Sequence, residues 1–105
     1  MVKNVKNNTF MEEVMSSETL VLVDFYTVWC GPCKKLSPVL ENIAEKYEDK
    51  IKVVKVDVEE EVSLATLFRI ASVPTVMFFK NGKAVGSFVG YKSEQEIETL
   101  IEKRL

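Results

Sequence analysis

Two cysteines, Cys30 and Cys33, stand three residues apart in the stretch VDFYTVWCGPCKKLSPVL (23–40), and the chain contains no further cysteine and no histidine. Residues i and i+3 of a helical turn have α-carbons about 5 Å apart, within the span that a disulfide tolerates. The pair can therefore close and reopen without refolding the chain. Between them, Gly31 permits a tight turn, and Pro32 fixes φ near the helical value in a first turn, where its missing N–H costs nothing. At such a strand-to-helix junction, free backbone N–H groups and the positive end of the helix favour a thiolate at Cys30. A thiolate is the attacking species in disulfide exchange. Lys34 and Lys35 follow directly. Their charge either supports a nearby anion or belongs to two solvated lysines.

Three kinds of chemistry compete for the pair. A structural disulfide fits poorly with a chain whose start, MVKNVKNNTF, has no apolar core of the kind a secretory leader needs. Zinc requires four ligands, so two cysteines without histidine would need a second subunit or unusual carboxylate ligands. A redox dithiol needs nothing beyond the residues present.

The stretch also carries a carboxylate. Alternation along LVLVDFY (20–26) places Leu20, Leu22, Asp24 and Tyr26 on one face and Val21, Val23 and Phe25 on the other. Both faces are apolar, so Asp24 is expected to be buried, with a raised pKa that suits it to passing protons. Lys55 is its candidate partner, on the face of IKVVKVDV (51–58) that also holds Ile51, Val53 and Asp57. The competing reading puts Asp24 at a solvated sheet end and makes Lys55 an ordinary surface lysine.

The elements that must position these groups alternate along the chain. Thr9 followed by Glu12 reads as a capping box that opens a short helix to about Ser16. LVLVDFY reads as a strand buried on both sides. A helix follows from about Cys33 to Tyr47, with Leu36, Val39, Leu40, Ile43, Ala44 and Tyr47 on one face and Pro38 inside it. A second strand spans 51–58, and a short helix lies around Ser63–Arg69. TVMFF (75–79) and KAVGSFV (83–89) flank an Asn-Gly pair, a strong hairpin signal. Ser93 with Glu96 is a second capping box, and Ile97, Leu100 and Ile101 line one face of the last helix. This order predicts parallel strands joined by crossover helices, then an antiparallel pair, in one sheet covered on both faces.

The totals agree with one domain. The chain has 105 residues, 47% of them apolar and 29% charged, as in a soluble globular protein. A net charge of −2 gives little attraction to nucleic acid or an anionic membrane. The longest apolar runs, LVLV and VMFF, fall far short of the roughly 20 residues that span a bilayer. The expected setting is cytoplasmic.

The residues gathered so far resemble the thioredoxin family. The likeness covers nearly the whole chain: Asp24, Trp29–Cys33 as WCGPC, Pro38, Lys55, SVPT at 72–75, FKNGK at 79–83 and VG at 89–90. It implies an α/β thioredoxin fold, a central mixed five-stranded sheet flanked by four helices, as one domain over 1–105. It implies a protein-disulfide reductase with Cys30 as nucleophile, Cys33 as resolving thiol, Asp24 as the buried acid that handles a proton, and Lys55 as its neighbour. Pro74 matches a cis-proline. With Trp29, Gly31, Pro32, Val73, Gly90 and Tyr91 it would form an apolar surface for extended substrate segments, some of them pairing through the backbone beside Pro74.

By the same likeness, no cofactor is bound beyond the redox-active Cys30–Cys33 disulfide. The partners are disulfide-containing proteins and a thioredoxin reductase fed by NADPH or ferredoxin, and the chain acts as a monomer. Gly-Pro between the cysteines, rather than the histidine common in strongly oxidising relatives, points to a reductant. Three positions depart from the family pattern: Tyr26 stands where many members have a second tryptophan, and Thr27 and Val28 replace a small and a more polar residue. The entrance beside Cys30 becomes more apolar, which bears on partner preference. A non-catalytic module of the same fold and a two-chain zinc clamp are the alternative functions.

Overall fold

A computed structural model describes residues 2–105. Leu20–Tyr26 (β2) occupies the middle of a five-stranded sheet. Its apolar side chains on both faces demand cover on both. Ile51–Asp57 (β3) runs parallel to it on one side, and Thr75–Lys80 (β4) antiparallel on the other. Lys3–Asn4 (β1) extends the sheet beyond β3, and Lys83–Val89 (β5) extends it beyond β4, giving the order β1-β3-β2-β4-β5. The register sets Asp24 between Lys55 and Val76, and Tyr26 beside Asp57.

Two layers of helix cover this sheet. Gly31–Lys46 (α2) and Glu94–Glu102 (α4) pack Leu36, Leu40, Ile43, Ile97 and Ile101 against Leu20, Leu22, Val53 and Phe78. On the opposite face, Asn7–Phe10 (α1), the π-helical turn Met11–Met15 and Val62–Leu67 (α3) bring Phe10, Val14 and Leu64 onto Val21, Val23, Phe25 and Val54. The expected α/β architecture, a mixed five-stranded sheet with four helices, is the one observed. Among the described residues no helix is long and apolar enough to cross a membrane.

Several boundaries differ from the sequence reading. The strand β1 is only two residues long, too short to show alternation. The first helix begins at Asn7, and Thr9 is its third residue, not its cap. The Thr9 hydroxyl donates to the Lys6 carbonyl at 3.3 Å and accepts the Lys6 N–H at 3.4 Å, so the Thr9–Glu12 capping box does not form. Helix α2 starts two residues before Cys33 because Cys30 itself caps it. Helix α3 ends at Leu67, and Arg69 takes φ 55°, outside helical space.

The hairpin and the last cap agree with expectation. Asn81 and Gly82 both have positive φ, 52° and 77°, as a two-residue turn of this hand requires. Ser93 Oγ accepts the Glu96 N–H at 3.2 Å, while Glu96 Oε1 accepts the Ser93 N–H at 3.0 Å.

Candidate active site

The strand β2 delivers the chain to the N-terminus of α2, and the two thiols sit at that junction. Cys30 is the cap residue in extended conformation, and its Sγ accepts the Cys33 N–H at 3.1 Å. A serine or aspartate oxygen usually fills this place, satisfying one of the orphan amides of the first turn. Cys30 and Cys33 are joined as a disulfide, with α-carbons 5.2 Å apart, the spacing expected of one helical turn. The two sulfurs differ in access: Cys30 is half-buried, whereas the Cys33 residue is only 4% exposed. Gly31 and Pro32 are exposed on the first turn, and Trp29 is 80% exposed immediately before it. An indole left in water beside a reactive sulfur is a contact surface, since it contributes little to the core.

Beneath the thiols lies Asp24, 3% exposed, which excludes the solvated reading of this residue. Its Oδ1 has no hydrogen-bond partner. Burial pushes its pKa up to about 7, against a smaller downward pull from the Lys55 ammonium. Lys55 is its register neighbour on β3, but the two form no ion pair. The Lys55 Nζ lies instead 5.2 Å from the centroid of the Tyr26 ring, and the Tyr26 hydroxyl donates to Asn4 Oδ1 at 2.9 Å. An open pocket of about 290 Å³ is lined by Asp24, Cys33, Lys55, Tyr26, Val28 and Ser37, among others. The buried carboxyl and the inner thiol thus share one solvent-accessible space through which a proton can pass. Ser37 and Asn4 did not emerge from the sequence. Ser37 falls four residues after Cys33, the spacing that puts both on one helical face; no local signal marks Asn4.

The Val73–Pro74 bond is cis. The Pro74 carbonyl accepts the Gly90 N–H at 2.8 Å, which joins the loop before β4 to the end of β5. Gly90 has φ 89°, a conformation glycine adopts without strain. Val73 is half-buried, and its own N–H and C=O have no partner among the described residues. Tyr91 is exposed, with the Lys35 Nζ 4.8 Å above its ring. Lys34 turns the other way and lines the pocket with Asp24. Among the described residues, no cluster of three or more His, Cys, Asp or Glu side chains is arranged to hold a metal ion.

A thioredoxin family model matches residues 1–103. The chain is 45% identical over 101 residues to Thioredoxin 1 of the cyanobacterium Nostoc sp., covering 96% of this chain and 94% of that protein. It is 43% identical over 101 residues to Thioredoxin 1 of Synechococcus elongatus, covering 96% and 94%. With the mitochondrial thioredoxin of Bos taurus it shares 44% identity over 94 residues, 90% of this chain and 57% of that protein.

Proposed function

The chain belongs to the thioredoxin family, and on that premise we propose the part each residue takes in reducing a protein disulfide. As a member it is a thiol–disulfide oxidoreductase whose redox centre is the Cys30–Cys33 pair itself. The Cys30 thiolate attacks one sulfur of the substrate disulfide, and the other substrate sulfur leaves as a thiolate. Cys33 then gives its proton to the Asp24 carboxylate and attacks the Cys30 sulfur. The second substrate thiolate departs, the Cys30–Cys33 disulfide closes, and two electrons have passed to the substrate.

The observation that carries this assignment is the capping geometry: Cys30 Sγ receives the Cys33 N–H at 3.1 Å while Cys33 is buried. A hydrogen bond and a helix N-terminus both favour negative charge on the outer sulfur. Asp24, with a pKa of about 7, suits proton transfer near neutral pH, and Lys55 tunes it. Trp29, Gly31, Pro32, Val73, Gly90 and Tyr91 supply the docking face. The free N–H and C=O of Val73 pair with an extended substrate segment in the manner of an added strand.

A thioredoxin reductase, fed by NADPH or ferredoxin, returns the pair to the dithiol state. The chain is one domain over 1–105 that works as a cytoplasmic monomer, donating electrons to reductive enzymes and maintaining cell redox balance. Neither nucleic acid nor membrane is a partner, in keeping with the net charge of −2.

Reduction of insulin disulfides tests the assignment. Cys30→Ser should abolish turnover, whereas Cys33→Ser should attack once and stay attached. Turnover retained by Cys30→Ser would overturn it. A redox titration against glutathione checks the direction, with a reductant's potential expected from Gly31 and Pro32 between the thiols.

A further inference from the structure

We propose that Tyr26 and Asn4 form a hydrogen-bonded strap over β3 that holds the Lys55 ammonium facing Asp24, making Tyr26 and Asn4 positioning residues for the resolving step. Asn4, Lys55 and Asp24 are consecutive partners across β1, β3 and β2. Side chains of such partners share one face of the sheet. Tyr26 lies two residues beyond Asp24 and so points to the same face. Its hydroxyl nevertheless reaches Asn4 Oδ1 at 2.9 Å, although β3 runs between the two strands. The β3 residue in the Asn4 row is Lys55 and that in the Tyr26 row is Asp57, so the Tyr26–Asn4 bond crosses β3 diagonally between those two rows, beside Lys55. The ammonium sits 5.2 Å from the ring centroid, inside the roughly 6 Å reach of a cation–π contact. The lysine is half-buried and lines the Asp24 pocket.

Other charges near Asp24 are few. From β3 come Lys55 and, two residues further along the same face, Asp57. From α2 comes Lys34, which lines the same pocket; Cys33, also in that lining, is held in the disulfide and carries no charge. The β4 partner is Val76, which carries no charge. Glu60 and Glu61 lie beyond Tyr26, in a separate cleft that also contains Asn4 and Asp57. Lys55 is the cation that draws the Asp24 pKa down against burial. Burial pushes the Tyr26 phenol above its ordinary value, so it remains a hydrogen-bond donor through the neutral range. Without the strap, the long flexible stem of Lys55 lets the ammonium swing toward water. Its attraction for the Asp24 carboxylate then weakens with distance.

The proposal rests on the proton role given above to Asp24, but its test reads titration and not turnover. The Asp24 carboxyl is followed by carbon-13 NMR in the oxidised full-length protein as pH is raised. Tyr26→Phe keeps the ring and loses the bond; Asn4→Ala loses the bond from the exposed end. Each should raise the Asp24 midpoint by about half a pH unit or more. The double variant should shift it no further than either single one. In a Lys55→Met background, Tyr26→Phe should add nothing. A midpoint within about 0.2 units of the parent in both single variants would overturn the strap, as would an undiminished Tyr26→Phe shift in the absence of Lys55. Should Asp24→Asn leave the reduction rate intact, the proton role fails while the titration result still decides the strap.

Discussion

Replacing Asp24 with alanine should stabilise the protein at neutral pH and above. The carboxyl is 3% exposed, its Oδ1 has no partner, and burial lifts its pKa from 3.8 to about 7. A raised value in the folded state means that the native protein holds this proton more tightly than the unfolded chain. The stability associated with the group is therefore intact below pH 3.8, erodes as pH climbs toward about 7, and stays lost above that. The gap is a little over three pKa units, and at about 1.36 kcal/mol per unit the ionised carboxylate costs the fold about 4 kcal/mol. Alanine removes that cost and leaves a small void worth about 1–2 kcal/mol, independent of pH. The stability difference between parent and Asp24→Ala should thus change by about 3–4 kcal/mol between about pH 4 and pH 8.5, with the variant ahead at the upper end. Urea denaturation of the two oxidised proteins across that range, followed by circular dichroism, measures it. Stability curves that run parallel with pH would refute the burial argument.

Trp29→Ala should raise KM for a protein disulfide severalfold, with kcat little changed. Because Trp29 is 80% exposed, the change in unfolding free energy should stay within about 0.5 kcal/mol. Ser93→Ala removes the Oγ that accepts the Glu96 N–H in the capping box on α4, leaving the Ser93 N–H bond to Glu96 in place, and should cost about 1 kcal/mol, read as a lower urea midpoint. Gly82→Ala forces a side chain onto φ 77°, with its Cβ 3.1 Å from the Met15 carbonyl oxygen, and should lower the melting temperature by a destabilisation of about 1–2 kcal/mol.

Much of the fold is legible in the chain because its strongest patterns are local. LVLVDFY is apolar on both faces, and the structure buries it at the centre of the sheet. Asn81–Gly82 marks the hairpin, and Ser93 with Glu96 marks the start of α4. What the patterns misplace are ends decided by side chains that reach the backbone. Thr9 bonds back to Lys6 and shifts α1; Cys30 caps α2 and moves its start to Gly31. The residue types around the thiols announce the site, but its interior depends on tertiary contact. Lys55 reads as a partner for Asp24, yet it rests against Tyr26. The Tyr26–Asn4 bond joins residues 22 apart across an intervening strand, and no periodicity records such a pairing.

The most direct test of the central claim is competitive alkylation of the fully reduced protein with iodoacetamide, resolved by mass spectrometry for each cysteine as a function of pH. If Cys30 is the thiolate held at the mouth of α2, it should be labelled first, with half-maximal rate at a pH below the free-thiol value of about 8.5, while Cys33 stays protected. Equal labelling of the two, preference for Cys33, or a Cys30 midpoint at or above that value would contradict the account.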